Sequence, residues 1–414
     1  MTGVARVAGV RGVRVVLDLR PLQDPEHAPL TAAYLEGLLG ALDADPLDGE
    51  SFAFLLALDR DDPTVGRWPS LDVVGRRLLP PTRVLRAGAL VTDPFLLRGA
   101  ITGAGWRAER GGAAGSVYFA AAGALPIGSP IPVVAALLDL APWQLPDAWQ
   151  RGAFARFGQK LRARLLRDAA AVIVPSRAAS GEARRLLRVR QAKVRVVPMA
   201  PRDAFRPEAA AGAAAERTRL GLDERYAVYA GRFDAREDLP TLMGALAVLA
   251  AEPAPVGVSV WPPRVCVVGA TPDDRASLSR AATRAGVAEA IAYAPALSDD
   301  RLAALIAGAR FALEPALSDA GGVAAMEALA AGVPVIASAV GALPEVIGAA
   351  GILVEPGDAV RFATAIRAVW TDDTLHATLC AAVALRAETP RTWADVARET
   401  RAVWAAAAKP APLR

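Results

Sequence analysis

The chain has 414 residues, of which 53% are hydrophobic and 6% aromatic, and its formal net charge is +4. This composition excludes a fibrous or disordered protein, and so small a net charge gives no indication of a nucleic-acid partner. Since one hydrophobic core rarely serves a chain of this length, we expect two domains.

Cysteine and histidine are scarce, with two residues of each. Cys266 and Cys380 offer neither a disulfide framework nor a metal cluster, which favours the cytoplasm. The first sixteen residues lack an apolar stretch long enough for a signal peptide, so we do not expect export. Two histidines, His27 and His376, argue against a mechanism that depends on a histidine base.

The first half of the chain alternates strand-like and helix-like patterns. Residues 13–19 have the character of a buried first strand, and an amphipathic helix follows, with one apolar face made by Tyr34, Leu35, Leu38, Leu39 and Leu42. Further strands are predicted over residues 51–58, 116–120, 132–138, 169–176 and 194–198. Such alternation predicts a parallel sheet with helices on its faces.

The second half repeats this pattern after a segment rich in proline and charge. Strands are predicted over residues 227–232, 265–269 and 290–294, and a helix over residues 239–249. Thr392-Trp-Ala-Asp395 has the spacing of a capping box, which starts a terminal helix. The predicted division is a first domain at 1–200, a linker at 201–216, a second domain at 217–385 and a terminal helix at 391–408.

Two further patterns each allow two interpretations. Asp59-Arg-Asp61-Asp62 has the residue types of a divalent-ion site, but it precedes Pro63 in a turn context that favours an acidic loop. Residues 151–167 combine arginine and lysine with apolar residues at helical spacing. This helix either binds anionic lipid or presents a solvated basic face above a core-facing stripe that includes Phe154 and Phe157.

The most informative stretch is Asp319-Ala-Gly-Gly-Val-Ala-Ala-Met-Glu327. Gly321 and Gly322 let backbone N–H groups approach an oxyanion, and the helix that begins there points its positive end at the same place. Glu327 lies inside an otherwise apolar helix, where an ionised carboxylate needs a partner such as ribose hydroxyls. The alternative is a glycine turn that caps a core helix, with Glu327 facing solvent.

The wider context makes a resemblance specific. Residues 313–358 resemble the donor-site signature of the retaining glycosyltransferases of family 4, or glycosyl transferases group 1, whose signature has two glutamates around a glycine turn. Glu327 falls on the second glutamate, Gly322 on the last glycine of the turn, and Asp319 on the first glutamate. Pro334 and Leu343-Pro344-Glu345 match the strand and closing segment that follow. The family implies an α/β GT-B fold, with two facing Rossmann-like domains and a C-terminal helix that crosses back to the first.

Other positions of the family pattern are altered. Arg232 matches the arginine that follows a glycine after the first strand of the second domain, whereas the lysine position is Glu237, preceded by Arg236. A carboxylate at Glu237 would repel a diphosphate. In the first domain the family's histidine-aspartate pair is replaced by Leu138 and Asp139.

The resemblance implies metal-independent, retaining transfer of a hexose, such as mannose, from a nucleotide diphosphate sugar to a hydroxyl of a glycan or lipid-linked acceptor. No cofactor is implied beside the donor, and the setting is cell-envelope polysaccharide assembly, in the cytoplasm or at the inner membrane face. The implied catalytic residues are Asp319 and Asp139, and the implied donor-binding residues are Arg232, Arg236, Gly321, Gly322 and Glu327. The altered positions leave open a catalytically impaired homologue that serves as a binding or partner subunit, and a nucleotide-sugar epimerase of the same fold is a third alternative.

Overall fold

The computed structural model describes residues 12–80, 86–102, 115–121 and 124–408. The chain divides into two compact units, Met1–Met199 with Thr392–Arg414, and Ala200–Arg391. Across the described ranges, none of the helices combines the length and the apolar character that crossing a membrane requires.

The first unit contains a parallel seven-stranded sheet in the order β3-β2-β1-β4-β5-β6-β7 within the described residues. Its strands are β1 (Arg14–Asp18), β2 (Ser51–Ala57), β3 (Val73–Leu79), β4 (Ser116–Ala121), β5 (Val133–Ala136), β6 (Ala171–Val174) and β7 (Val194–Val196). Its helices are α1 (Arg20–Gln23), α2 (Pro29–Ala44), α3 (Arg86–Thr102), α4 (Ala141–Gln144), α5 (Pro146–Trp149), α6 (Ala153–Asp168) and α7 (Arg177–Leu187). A short 3-10 turn covers Gln191–Lys193.

The second unit contains a parallel six-stranded sheet in the order β10-β9-β8-β11-β12-β13. Its strands are β8 (Ala227–Tyr229), β9 (Val265–Val268), β10 (Ile291–Ala294), β11 (Phe311–Glu314), β12 (Val335–Ser338) and β13 (Gly351–Val354). Its helices are α8 (Ala213–Arg219), α9 (Leu239–Ala250), α10 (Pro272–Arg284), α11 (Asp299–Ala307), α12 (Val323–Ala330), α13 (Leu343–Ile347), α14 (Ala359–Thr371) and α15 (Asp373–Ala387). Two 3-10 turns cover Pro207–Gly212 and Ala288–Ala290.

The last helix, α16 (Trp393–Ala408), belongs to the first unit although it follows the second in the chain. Trp393 meets Tyr34 of α2 edge to face with ring centroids 5.8 Å apart, and Trp404 meets Phe119 of β4 at 5.2 Å. Asp395 accepts a hydrogen bond from the backbone N–H of Thr392 and donates its own backbone N–H to the Thr392 hydroxyl, so the capping box is present. The predicted return of the terminal helix to the first domain is confirmed.

Apolar sequence patterns explain most strands of the sheet in the first unit, and β3 is the exception. Strands β1 and β2 are almost wholly buried, as their runs of Val, Leu and Phe require. Strand β3 alternates exposed and half-buried residues at the edge of the sheet, and its Gly-Arg-Arg sequence hides it from a search for apolar runs. Sequence analysis missed this strand for that reason.

Residues 201–216, predicted as a linker, are packed into the second unit. The 3-10 turn Pro207–Gly212 and helix α8 both contact α11. The carboxylate of Glu216 is buried and accepts two hydrogen bonds from Arg301, at 2.9 and 3.0 Å. Alanine-rich composition allows this close packing, although it carries no strong periodicity.

The strand order of each sheet reverses direction once. In the first unit the reversal lies between β1 and β4, and in the second between β8 and β11. In parallel α/β sheets, ligands bind outside the carboxyl ends of the strands at such a reversal. The loops that follow β8 and β11 are therefore where a site in the second unit is expected.

Candidate functional site

The loops after β8 and β11 hold each other in place. Glu237 forms an antiparallel bridge with Ala316, and the backbone N–H of Asp238 donates to the Pro315 carbonyl at 2.5 Å. The backbone N–H of Leu317 donates to the Arg236 carbonyl at 2.6 Å. The reversal of strand order thus brings together, by backbone pairing, two segments far apart in sequence.

The glycine turn at the start of α12 has the predicted backbone form. Gly322 has a φ of +64°, and a Cβ there would lie 2.8 Å from Cγ2 of Val346. Only glycine suits both the left-handed backbone and the contact. The turn therefore presents main-chain N–H groups at the beginning of a helix, as an anion site requires.

The anion at these N–H groups is the protein's own carboxylate. Asp319 Oδ1 accepts from the backbone N–H of Gly321 at 2.8 Å and also from that of Gly322. Sequence analysis assigned these two amides to a phosphate. In this structure they are bonded to Asp319, so a diphosphate that used them would take the place of that carboxylate.

Glu327 lies in the interior, with 5% of its surface exposed. It does not face solvent, which was the alternative left open by the sequence. Its Oε1 accepts from Arg202 Nε at 2.6 Å and its Oε2 from Arg202 Nη2 at 2.8 Å. The Nη1 group of Arg202 donates to Asp299, and the guanidinium carbon lies 4.7 Å from the centre of the Phe205 ring.

Arg202 was missed by sequence analysis because it falls in the segment predicted as a linker, 125 residues before its partner. A signal for it existed. An ionised glutamate in an apolar helix requires a cation or a set of donors, and this requirement applies before any ligand binds. The sequence does not specify which of the chain's many arginines meets it.

The two predicted cations of the β8 loop differ in their surroundings. Arg232 is half-buried, and its carbonyl accepts a hydrogen bond from the Tyr229 hydroxyl. The guanidinium of Arg236 is held by Asp234, whose two oxygens lie 2.9 and 3.1 Å from its Nε. The charge of Arg236 is therefore largely compensated within its own loop.

Two acids near these loops, Glu237 and Glu314, have raised pKa values. Burial, together with the charges of Asp319 and Asp234, raises the pKa of Glu237 to about 8, although Arg232 and Arg236 act in the opposite direction. Burial, followed by Glu237, Asp319 and Glu327, also raises the pKa of Glu314, at the end of β11, well above its usual value. Glu237 Oε2 is buried and has no hydrogen-bond partner among the described residues.

The raised pKa changes the interpretation of Glu237. Sequence analysis treated it as a charge that repels a diphosphate. With a pKa of about 8, Glu237 is mostly protonated at pH 7, so its repulsion of an anion is weakened. The described residues contain no cluster of three or more His, Cys, Asp or Glu side chains that could hold a metal ion.

Asp139 lies in the first unit, whereas the other predicted site residues lie in the second. Its Oδ1 accepts from the backbone N–H of Ala141 at 2.9 Å, a turn contact just before the short helix α4. Leu138 beside it is buried, with 2% exposure. The structure therefore gives Asp139 a local turn contact in the loop between β5 and α4.

The first unit also contains a cluster of acidic and basic side chains that sequence analysis did not predict. Asp18, at the carboxyl end of β1, accepts from Arg20 Nε at 2.9 Å and from Arg20 Nη2 at 2.6 Å. Asp93 of α3 lies 3.1 Å from the same Nη2 group, and its Oδ1 is buried with no partner among the described residues. The cluster lies at the end of a strand next to the reversal of strand order in this sheet.

The two ambiguous patterns are resolved differently. Asp62 accepts hydrogen bonds from the backbone and hydroxyl of Thr64 and from Arg76, so this acidic segment forms an ordinary turn. Helix α6 has no core-facing stripe at its start, because Phe154 is 69% and Phe157 is 57% exposed. These rings lie among exposed basic residues instead.

The sequence has relatives of established name. Residues 224–372 match the family model described as glycosyl transferases group 1. A D-inositol 3-phosphate glycosyltransferase from Streptomyces avermitilis is 34% identical over 227 residues, covering 52% of this chain and 47% of that protein. An MMP alpha-(1->4)-mannosyltransferase from Mycolicibacterium hassiacum is 43% identical over 76 residues, 18% of each chain. The chain thus matches about half the length of the first relative.

Solved structures resemble almost the whole chain. Sucrose-phosphate synthase from Thermosynechococcus elongatus has a TM-score of 0.71 at 22% identity and covers 95% of this chain and 98% of its own. Anabaena HepE in complex with UDP has a TM-score of 0.65 at 17% identity, with 95% and 100% covered. At such identities the likeness shows the fold, and it confirms the predicted GT-B architecture.

Proposed function

We propose that the chain is a glycosyltransferase with a nucleotide diphosphate sugar as its donor, since its residues 224–372 match the glycosyl transferases group 1 model. The observation that carries the proposal is the buried, paired carboxylate of Glu327 on the helix that the Gly321-Gly322 turn begins. Within about two helical turns, this segment has a carboxylate that can accept hydrogen bonds from hydroxyls and N–H groups that can donate hydrogen bonds to an anion. A nucleoside diphosphate offers both complementary groups, in its ribose and its phosphates.

In this proposal the second unit binds the donor. Glu327 accepts hydrogen bonds from ribose hydroxyls, and the N–H groups of Gly321 and Gly322 bind the diphosphate as Asp319 releases them. Arg232 supplies positive charge from the β8 loop. Backbone dipoles and an arginine cation can stabilise a leaving diphosphate without a metal ion, so we propose metal-independent transfer.

We propose retaining transfer of a hexose, such as mannose. The bond between the anomeric carbon and the diphosphate oxygen breaks, and the acceptor hydroxyl attacks the same face of the sugar. The hydroxyl proton passes to the leaving diphosphate, so atoms and charge balance. Asp319 is the proposed catalytic residue of the second unit, and Asp139 that of the first.

The proposed acceptor is a hydroxyl of a glycan or a lipid-linked glycan, in cell-envelope polysaccharide assembly at the cytoplasmic face of the membrane. One relative is named as an inositol phosphate glycosyltransferase and another as a mannosyltransferase, and these names support sugar transfer, with mannose as one candidate sugar. A donor panel tests the function: UDP-, GDP- and ADP-hexoses are screened by thermal shift, and product formation is followed with the anomeric configuration read by NMR.

The expected result is stabilisation by one donor and transfer with retention, both reduced by Arg232→Ala. Arg367→Ala is a matched control, because Arg367 forms an ion pair with Glu252 away from the donor loops. Binding without transfer to any acceptor would favour a partner subunit. A chain stabilised by none of the donors would contradict the proposal.

A peripheral membrane contact is proposed for helix α6. Exposed Phe154 and Phe157 lie beside exposed Arg156, Lys160 and Arg164, a combination suited to an anionic lipid surface. In a sedimentation assay, a larger fraction of the protein should sediment with phosphatidylglycerol vesicles than with phosphatidylcholine vesicles. The double substitution Phe154→Ser and Phe157→Ser should abolish the difference, and equal retention on both vesicle types would contradict the contact.

A further inference from the structure

Arg202 is held from three directions within the second unit. Two of its nitrogens meet the two oxygens of Glu327, at 2.6 and 2.8 Å, and the third nitrogen meets Asp299. Its guanidinium carbon lies 4.7 Å from the centre of the Phe205 ring. Charge-assisted hydrogen bonds on all three nitrogens restrict the orientation of Arg202, and they restrict the Glu327 carboxylate in the same way.

The pair is unequal in burial. The Glu327 side chain is 6% exposed, whereas that of Arg202 is 32% exposed. Without Arg202, Glu327 would be a buried carboxylate with no cation, which is strongly unfavourable. Loss of the contact would therefore cost more free energy at Glu327 than at Arg202, whose charge can still be solvated. Burial lowers the pKa of Arg202, but its bonds to Glu327 and the charge of Asp299 outweigh this effect and raise the pKa overall.

The pairing leaves Glu327 able to bind a ligand. An ionised carboxylate has about four acceptor positions on its two oxygens. Arg202 uses one position on each oxygen, so one remains on each. Arg202 approaches both oxygens from one side, so the remaining positions point away from each other, and one of them can accept a hydrogen bond from a single ribose hydroxyl.

We propose that Arg202 is a positioning residue of the donor site, which fixes Glu327 with a remaining acceptor position directed at the 2′-hydroxyl of the nucleotide ribose. The inference rests on the proposed function, because it concerns the same site. Arg202 does not touch the donor in this account and stays on Glu327 when the donor binds. Its effect is on the choice of ribose over deoxyribose.

Isothermal titration calorimetry with UDP, GDP and ADP, and with the 2′-deoxy form of whichever binds, tests this inference. The wild type should prefer the ribonucleotide. Arg202→Ala should weaken ribonucleotide binding about tenfold or more and bring the two affinities close together, because Glu327 is no longer fixed. Arg202→Lys, which keeps the charge but loses the paired geometry, should give an intermediate preference.

Arg301→Ala is a matched control. Arg301 also meets both oxygens of a buried glutamate, Glu216, at 2.9 and 3.0 Å. The exposed fractions of that pair, 38% and 6%, are close to those of Arg202 and Glu327. Arg301→Ala should leave the preference for ribose unchanged, and circular dichroism checks that each variant is folded.

The outcomes separate this inference from the proposed function. If the wild type binds no nucleoside diphosphate, ADP included, the proposed function fails, and the inference that rests on it fails too. If the wild type binds but Arg202→Ala keeps the preference for ribose, as Arg301→Ala does, the inference alone is wrong. Tighter binding by Arg202→Ala would also overturn it, since Arg202 would then be a competitor for Glu327.

Discussion

The main-chain carbonyl of Asp319 lies where a side chain of residue 341 would begin. Gly341 has a φ of +52°, and a Cβ there would overlap that carbonyl oxygen. The backbone N–H of Ala342 donates to the same oxygen at 3.0 Å. The absence of a side chain at Gly341 therefore allows the Asp319 turn to pack directly against the backbone before α13.

We expect Gly341→Ala to destabilise the protein by about 3 kcal/mol or more, because the clash with main chain adds to the cost of a left-handed backbone. It should also weaken nucleotide binding, since the Asp319 turn has to move. Urea unfolding and calorimetry measure both effects.

The control for this prediction is Gly332→Ala. Gly332 also has a positive φ, of +90°, but nothing lies within 4 Å of a Cβ there. This substitution should cost about 1 kcal/mol from backbone strain alone and leave nucleotide binding intact. Equal effects of the two substitutions would show that the contact with Asp319 is unimportant.

The protonation of Glu237 should make stability depend on pH. Its pKa is raised from 4.5 to about 8 in the folded protein, so folding favours the protonated form. The stabilisation that this proton gives is complete below pH 4.5 and is lost as the pH rises towards about 8. Glu237→Gln removes the titration and keeps the shape.

Relative to Glu237→Gln, the wild type should therefore lose stability between pH 5 and pH 8.5, by on the order of 3 kcal/mol. Urea unfolding of both proteins across this range measures the difference. Nucleotide binding by the wild type should weaken over the same range, because the ionised carboxylate repels a diphosphate. A difference that stays constant with pH would mean that Glu237 is ionised throughout.

Removal of the charge of Asp319 should affect stability and sugar transfer but not nucleotide affinity. Asp319→Asn weakens the charged acceptor for the Gly321 and Gly322 N–H groups, which should cost about 1 to 2 kcal/mol of stability. Since a diphosphate would replace this carboxylate, the affinity for UDP or GDP should not fall. Sugar transfer should fall at least tenfold if Asp319 is catalytic. A loss of nucleotide affinity would contradict this account.

The terminal helix should be essential to the first unit. Trp404 is fully buried against Phe119, so Trp404→Ala should cost about 3 to 5 kcal/mol. Leu385→Ala, at a residue 67% exposed, should change the free energy of unfolding by less than about 0.5 kcal/mol. Urea unfolding of the two variants measures both values. Similar stabilities would contradict the packing of α16 described above.

The fold was largely predictable because its strands are short apolar runs. Residues 13–19, 51–58 and 265–269 contain strands β1, β2 and β9 where the hydrophobic pattern placed them. Strand β3 was missed, since Arg76 and Arg77 lie at an edge where solvent allows charge. The family resemblance was evident in the segment that ends in Leu343-Pro344-Glu345, and the match of residues 224–372 to the glycosyl transferases group 1 model bears this resemblance out.

The site was less predictable, because its partners come from distant parts of the chain. Glycine spacing indicated the turn at Gly322, since local backbone geometry depends on local sequence. Arg202 pairs with Glu327 across 125 residues, and no local pattern specifies such a contact. The neutral state of Glu237 depends on burial and on neighbouring charges, which the sequence does not give.

The most direct test of the account is calorimetry of UDP and GDP binding to Glu327→Gln, beside Glu355→Gln as a control at an exposed residue after β13. The account predicts that the wild type binds one of the two nucleotides, that Glu327→Gln weakens this binding at least tenfold, and that Glu355→Gln leaves it unchanged. Binding by Glu327→Gln at wild-type affinity would contradict the central claim that this buried carboxylate holds the donor.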